Sequence, residues 1–316
     1  MVTIGIDLGG TIIKTGLVSN GKIIECRTME ASSVSGLHIS LCRIEDSVNS
    51  LLSGNGIEKS ELEGIAIAFA GLVDVGLKRV TGTNKKYGDP GEVDLEKWVY
   101  SKWGCSFFID NDARMAAVGE WKYGAGKGFD DIVTVTIGTG IGTSVITGGR
   151  LIRGKHFQFG CLGGHFTVKY GGNECTCGNK GCVEAEAGSL ILPEMAKRHP
   201  GFSSSELSKV AVIDFESIFR LSETGDSLSI ELRDKCMHVW SAAIVNYIHA
   251  YDPEIVIIGG GVMNSSQIIL PYIQSFVDKY AWTPTHRVII KCSEKGDTAA
   301  ILGAAYCLTD SIALPV

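Results

Sequence analysis

The sequence predicts an α/β protein built of two related halves. Short β-branched runs, which read as strands, recur between segments whose apolar residues repeat at three and four, which read as helices. A strand, a Gly/Thr-rich tip and a second strand occur at residues 2–18 and again at residues 131–146. The two tips lie about 130 residues apart, and such an internal repeat signals two related units facing each other across a shared ligand, here a phosphate. At 316 residues the chain is also long enough for two domains and a large buried core.

Residues 2–6 form the first strand and lead into Asp7, Leu8, Gly9, Gly10 and Thr11, after which residues 12–18 resume an apolar run. The glycines therefore sit on a hairpin tip, unlike Rossmann or P-loop glycines, which precede a helix. Backbone N–H groups in such a tip can hold phosphate oxygens, and Thr11 adds a hydroxyl. Asp7, at the strand end, would face a magnesium ion directly or through water. Lys14 adds charge or is simply solvated. A tight hairpin without a ligand is the plainer alternative; the flanking Asp7 and Thr11 favour phosphate. Residues 35–52 carry Leu37, Leu41, Ile44, Val48, Leu51 and Leu52 at helical spacing. Residues 64–71 read as a buried strand ending in a glycine turn, and residues 72–84 as a hairpin. Asn84 in its loop either faces a cleft or caps a turn. Residues 105–109 are again strand-like and run into Asp110, Asn111, Asp112 and a helix over residues 113–121. Asp110 is a candidate N-cap, which would leave Asn111 or Asp112 for substrate; spacing alone leaves the choice open.

The second tip, Gly138, Thr139, Gly140, Ile141, Gly142 and Thr143, follows the strand at residues 131–137 and precedes one at residues 144–146. His165, Cys175, Cys177 and Cys182 then fall close together, with Gly178 and Gly181 between the last two thiols. Glycine lets the backbone turn tightly enough for neighbouring sulfurs to converge. One imidazole and three thiols complete a tetrahedral zinc site with no position left for water, so the metal is expected to be structural. Four buried side chains without a metal, or a disulfide between Cys175 and Cys182, are the alternatives. Residues 184–196 are expected to be helical, residues 201–225 a surface excursion with one short helix, and residues 228–251 a long helix. A strand at residues 254–258 closes on Gly259, Gly260 and Gly261. That triple glycine lets a flat group such as an adenine approach the backbone, or is only a strand-to-helix turn. A strand at residues 288–290 and an alanine-rich helix over residues 298–308 finish the chain. The helix is expected to pack back on the first half.

Composition narrows the function. A hydrophobic content of 45% with 20% charged residues describes a soluble globular protein. A net charge of -6 and the lack of a basic cluster argue against a nucleic-acid surface. No apolar run reaches the roughly 18 residues of a membrane span, and a strand with Asp7 stands where a secretion signal would. Ten cysteines without such a signal point to the reducing cytoplasm, where thiols bind metals and do not pair.

Taken together, Asp7-Leu8-Gly9-Gly10-Thr11, Asn111-Asp112-Ala113, the residues 137–142, Gly164-His165, the Cys175 to Glu184 pattern and Ile258 to Gly261 resemble the ROK (repressor, open reading frame, kinase) family of glucokinase-like sugar kinases, along nearly the whole chain. The resemblance implies an actin-like ATPase (ribonuclease H-like) fold with two lobes around a cleft, and a homodimer. The lobes would be residues 1–112 with about 298–316, and residues 113–297. It implies ATP and Mg2+ with a structural Zn2+, and a small sugar as partner, with no nucleic acid or membrane. Asp112 would be the general base, and Asn84, Asn111, His165 and Glu184 would contact the sugar. His165 would also ligate zinc with Cys175, Cys177 and Cys182. Asp7, Gly9, Gly10, Thr11, Lys14, Gly138, Thr139, Gly140 and Gly142 would hold the metal-bound phosphates, and Gly259, Gly260 and Gly261 the adenosine. Two positions depart from the pattern. Leu162 stands where family kinases for glucose usually carry Glu, so glucose is not expected to be the best substrate. Ala70-Gly71 stands for the usual Pro-Gly turn. A transcriptional repressor would need an N-terminal helix-turn-helix, for which the sequence leaves no room before its first phosphate tip. A sugar-binding protein that has lost catalysis is the other alternative: Leu162 favours it, and Asp112 with both tips opposes it.

Overall fold

The computed structural model describes residues 2–33, 36–83, 87–88 and 91–309. In chain order the elements are β1 (Val2–Leu8), β2 (Ile12–Ser19), β3 (Lys22–Glu30), α1 (Leu37–Gly54), β4 (Leu62–Phe69), β5 (Leu72–Asp74), β6 (Arg79–Gly82), α2 (Leu95–Trp103), β7 (Ser106–Asn111) and α3 (Asp112–Tyr123). Then follow β8 (Ile132–Ile137), β9 (Ile141–Thr147), β10 (Arg150–Leu151), α4 (Val183–Ala187), α5 (Leu192–Arg198), α6 (Phe215–Glu223) and α7 (Ser227–Tyr251). The chain ends with β11 (Ile255–Gly259), α8 (Ser266–Tyr280), β12 (Ile289–Cys292) and α9 (Ala299–Thr309).

Residues 1–130, 144–161 and 294–316 make one compact unit. Its five-stranded sheet has the order β3-β2-β1-β4-β7. The hairpins β1/β2 and β2/β3 are antiparallel, whereas β4 and β7 run parallel to β1. Side chains alternate across the sheet, and one face meets α1. Leu37, Leu41, Ile44, Val48 and Leu51 of α1 join Ile4, Ile6, Leu8, Ile65 and Ile67 in a single buried cluster. The α9 helix packs on β1 and β4, and α3 packs along α9. The alanines of α9 and its Gly303 allow a close approach: a side chain at Gly303 would run into the Met115 carbonyl of α3. This packing is why α3 and the turns after it belong to the first unit, whereas the sequence reading drew its boundary at residue 112.

Residues 131–143 and 162–293 make the second unit. A second five-stranded sheet has the order β10-β9-β8-β11-β12, with β11 parallel to both β8 and β12. The chain passes from one unit to the other inside β9, after Thr143. The long helix α7 is the spine of the second unit, since α4, α5, α6 and α8 all pack on it. Its Leu232, Met237, Trp240, Ile244 and Ile248 are buried. Asp226 caps it through a bond from the Ser229 N–H, and Asp252 ends it in the left-handed conformation. The single helix expected over residues 184–196 is divided. The Gly188 N–H returns to the Glu184 carbonyl and closes α4, and Pro193 opens α5, where its missing N–H costs nothing. Among the described residues, no helix is long and apolar enough to cross a membrane.

Candidate active site

Strand register gathers the candidate residues of the first unit. Asp7 lies beside Ala68 of β4, and Ala68 beside Asp110 of β7. One residue on, Leu8, Phe69 and Asn111 are aligned in the same way. The parallel strands β1, β4 and β7 therefore deliver Asp7 and the Asn111-Asp112 step to one edge, the carboxyl end, where open α/β sheets bind ligands. The Gly9–Thr11 tip rises from that edge. Its three carbonyls all point to protein donors: Gly9 accepts from the Tyr87 hydroxyl at 2.8 Å, Gly10 from the Ser33 hydroxyl at 2.6 Å, and Thr11 from the Ala31 N–H at 2.8 Å. In a trans peptide the next residue's N–H points opposite to the carbonyl. The N–H groups of Gly10 and Thr11 are thus turned away from those donors, as a phosphate cradle requires. Burial, opposed by a bond with Ser40, pushes the Tyr87 hydroxyl up to about 12, so it keeps the proton it gives Gly9. Lys14, across the hairpin from Asp7, pairs with Asp297 at 2.9 Å. Asn84 lies outside the described residues.

Burial, then the neighbouring carboxylate of Asp112, raises Asp7 from 3.8 to about 7, with Lys14 opposing. Between those values the folded chain binds more protons than the unfolded one. The stability contributed by Asp7 is therefore full below about 3.8 and lost as pH rises to about 7. Asp7→Asn removes the titration. Its Tm is expected to gain on the wild type as pH is raised from about 4 to 7 in metal-free buffer, and to hold that gain above. A wild-type-minus-variant difference that is flat with pH would contradict the shift.

Asp112 is the first residue of α3, and its Oδ1 accepts from the Asn111 side-chain amide at 2.9 Å and the Ala113 N–H at 2.8 Å. Asn111, not Asp110, caps the helix: its Oδ1 accepts from the Arg114 N–H at 3.1 Å. Its amide also donates to the Gly71 carbonyl at 2.9 Å, so Asn111 both caps α3 and orients Asp112. Asp110, weighed as the cap, is instead fully buried between two arginines. Its Oδ2 meets Arg153 Nε at 2.8 Å and its Oδ1 meets Arg114 Nη1 at 3.3 Å. One carboxylate faces two buried guanidiniums, and the excess charge is spread over backbone. Arg114 Nη2 donates to the carbonyls of Phe157 at 2.9 Å and Phe159 at 3.1 Å. Buried Glu120 similarly fastens α3 to the segment before α9, accepting from the N–H groups of Ala125, Glu294 and Lys295.

In the second unit the Gly138 N–H closes the tip on the Gly140 carbonyl at 2.9 Å, Thr139 accepts from the Ser189 hydroxyl, and Gly142 lies in β9. The Ile141 N–H donates to Glu184 Oε2 at 2.8 Å, and a Cβ at Gly140 would collide with that carboxylate. Gly259 ends β11. Gly260, with φ 95°, has no room for a side chain against the Ile137 carbonyl, whereas Gly261 faces open space.

The four expected metal ligands converge. The ligand atoms of His165, Cys175, Cys177 and Cys182 all lie within 4.8 Å of one another. Sulfurs bound tetrahedrally at about 2.3 Å from zinc lie about 3.8 Å apart, and a bound nitrogen lies about 3.5 Å from a sulfur. Cys177 Sγ is 3.8 Å from Cys182 Sγ, and Cys175 Sγ is 3.5 Å from His165 Nδ1. These donors and spacings fit zinc. The rival Cys175–Cys182 disulfide is absent, since both cysteines are free. Burial and the crowding of three sulfurs push the Cys182 thiol up to about 12. Surrounding groups hold the loop: the Asn179 amide reaches Cys182 Sγ at 3.4 Å, and buried Glu186 accepts from the Asn173 N–H at 2.5 Å. Sequence reading missed Glu186, Glu120, Tyr87 and the Arg114–Asp110–Arg153 set. Only a tertiary structure brings their partners to them.

A strand–tip–strand hairpin is built into each of the two five-stranded sheets, and the chain has the actin-like ATPase fold in two lobes. Residues 3–311 match the model of the ROK family, and the chain belongs to that family. It is 32% identical over 320 residues to the glucokinase of Thermotoga maritima, covering 98% of each chain. A solved ROK family glucokinase from Streptomyces griseus, in complex with glucose and AMPPNP, superposes with a TM-score of 0.80 at 26% identity, over 96% of this chain and 98% of that one. The xylose repressor of Bacillus subtilis is 28% identical over 250 residues, which span 79% of this chain and 62% of the repressor.

Proposed function

We propose that this protein is a sugar kinase that transfers the γ-phosphoryl group of ATP to a hydroxyl of a hexose or hexose derivative. The observation that carries this reading is Asp112. Its carboxylate is held by Asn111 and Ala113 at the carboxyl edge of the sheet, next to Asp7 and the Gly9–Thr11 tip. Phosphoryl transfer passes through a loose transition state, so the protein mainly positions groups and offsets charge. Asp112 accepts the proton of the attacking hydroxyl as the new oxygen–phosphorus bond forms and the bond from the γ-phosphorus to the bridging oxygen breaks, releasing ADP. Asn111 holds the carboxylate in place for that transfer. The amides of both tips bind phosphate oxygens, and the residues 259–261 pack against the adenosine. Asp7 would hold Mg2+, directly or through water, and the ion would supply positive charge to the phosphates. Its raised proton affinity suits that role, because a dication displaces the proton and restores the favoured charge. His165, Glu184 and Asn84 bind the sugar's other hydroxyls. His165, Cys175, Cys177 and Cys182 hold Zn2+, which stiffens the segment bearing His165 and Glu184. A homodimer is the proposed working state.

Leu162 sets the substrate. A leucine cannot accept a hydroxyl hydrogen bond, and a lost bond to a carboxylate is worth roughly 1.5–3 kcal/mol. That is on the order of ten- to a hundredfold in affinity. A hexose that lacks, or differently presents, a hydroxyl near the anomeric carbon is therefore expected to be used better than glucose. Coupled measurement of ADP release across a sugar panel tests this, and Leu162→Glu is expected to raise kcat/KM for glucose about tenfold. A wild-type preference for glucose over every other hexose would refute the assignment. The second reading, a sugar-binding protein with little catalysis, is favoured by Leu162 and by the likeness to a xylose repressor. No turnover with any sugar, together with sugar binding, selects it.

A further inference from the structure

The second unit contains a link between two ligand sites that the kinase reading treats as separate. Glu184, assigned there to the sugar, accepts through its Oε2 from the Ile141 N–H, inside the second phosphate tip, at 2.8 Å. The close approach uses the glycine at residue 140: a Cβ there would collide with that oxygen and force the carboxylate to shift. The tip is fastened a second time, by the Ser189 hydroxyl to the Thr139 carbonyl at 3.3 Å. Glu184 also sits on a fixed support. Cys182 of the metal cluster is the residue immediately before α4, and Glu184 lies in the first turn of that helix. The far end of α4 is pinned where buried Trp240 donates to the Ala187 carbonyl at 2.9 Å. The carboxylate therefore stands on a short helix held at both ends and grips the tip from there.

We infer that Glu184 is a positioning residue for the nucleotide as well as a sugar contact: it fixes the tip around Gly140 and Ile141 in its phosphate-binding shape and links acceptor and nucleotide binding. The inference rests on the kinase reading for the identity of the two ligands. The physical argument is one of ordering. A glycine-rich tip loses more conformational freedom than other segments when it closes on a phosphate. A charge-assisted bond already made to its backbone removes part of that cost before the ligand arrives. A sugar that takes up the remaining lone pairs of Glu184 changes the same bond. Linkage then requires that nucleotide and sugar alter each other's affinity by one common factor.

The test is ADP with Mg2+, titrated calorimetrically in the absence of sugar, against wild type, Glu184→Ala and Glu184→Gln. Alanine removes the acceptor for the Ile141 N–H, and ADP affinity is expected to fall on the order of tenfold. The glutamine carbonyl can still accept that bond, so Glu184→Gln is expected to recover most of the affinity. A merely structural role would not produce that recovery. Amide hydrogen exchange at Ile141 gives a second readout that needs no ligand: protection should be lost in the alanine variant and kept in the glutamine variant. ADP affinity or Ile141 exchange in Glu184→Ala equal to wild type overturns the inference, and so does a glutamine variant as weak as alanine. If wild type binds no ADP, the kinase reading has failed; Ile141 exchange then still decides whether Glu184 holds the tip.

Discussion

Asp112→Asn is expected to lower kcat about 10²- to 10⁴-fold, the usual contribution of a positioned general base. The substitution is nearly isosteric. An asparagine Oδ1 can still accept from the Asn111 amide and the Ala113 N–H, the two bonds that Asp112 makes at the start of α3. The helix keeps its cap, because that cap is Asn111. Folding and Tm should therefore change little, while the basic oxygen is lost. Coupled ADP release on the best acceptor of the sugar panel, with a thermal melt of the same sample, checks both halves. A folded variant with wild-type kcat would remove Asp112 from the chemistry. The substitution has a second signature: the Asp112 carboxylate is the second largest cause of the raised proton affinity of Asp7. Without it, the pH window over which Asp7 titrates should move down, toward the ordinary carboxylate range. A base that acted alone would leave that window unmoved.

What could be read from the sequence, and what could not, follows the range of the forces involved. The convergence of His165, Cys175, Cys177 and Cys182 was legible because they lie close together along the chain, and glycines with φ of 90° at residue 178 and 72° at residue 181 are a local requirement. The two glycine-rich tips were legible as turns between strands for the same reason. The roles of Asp110, Asn111 and Asp112 were not. Any of the three could cap a helix, and the choice was made by Arg153, far along the chain, which draws Asp110 into the interior beside Arg114. Burying an aspartate there without partners would be costly, so the arginines decide which neighbour is free to cap. Two helices also escaped the reading. Leu95, Val99 and Trp103 give α2 a narrow buried stripe amid charged residues. In α8, Pro271 lies inside the helix, where proline normally argues against one. There the packing of Ile269, Ile273 and Val277 overrides local preference. Glu120 and Glu186 look like ordinary helical glutamates. Only the backbone N–H groups brought to them from other segments reveal them as buried anchors.

Loss of the proposed zinc site is expected to have the other large effect, and to reach beyond the loop itself. Cys182→Ser replaces a sulfur donor with a poor zinc ligand at a buried member of the four-residue cluster. Cys182 is buried, faces Cys177 at 3.8 Å, and immediately precedes α4. Without the ion, the hairpin around residues 173–181 would rest on ordinary hydrogen bonds. The Cys175 N–H to the Asn179 carbonyl, the Gly181 N–H to the Asn173 carbonyl, and the Glu186 grip on Asn173 are among them. Binding free energy at a structural zinc site acts as folding free energy. The variant should therefore lose bound zinc, measured by metal analysis of the purified chain, and melt at a lower temperature. Because His165 and Glu184 flank the loop, kcat/KM for the sugar should fall about ten- to a hundredfold, as when the supports of a metal site are removed. Most of that loss should appear in the sugar KM, since the proposed zinc would hold the sugar-binding segment and take no part in the proposed transfer. A fall confined to kcat would instead place the metal in the chemistry. A variant that retains zinc, or that loses zinc without change in Tm or KM, would show that the four side chains do not form the structural clip proposed for them.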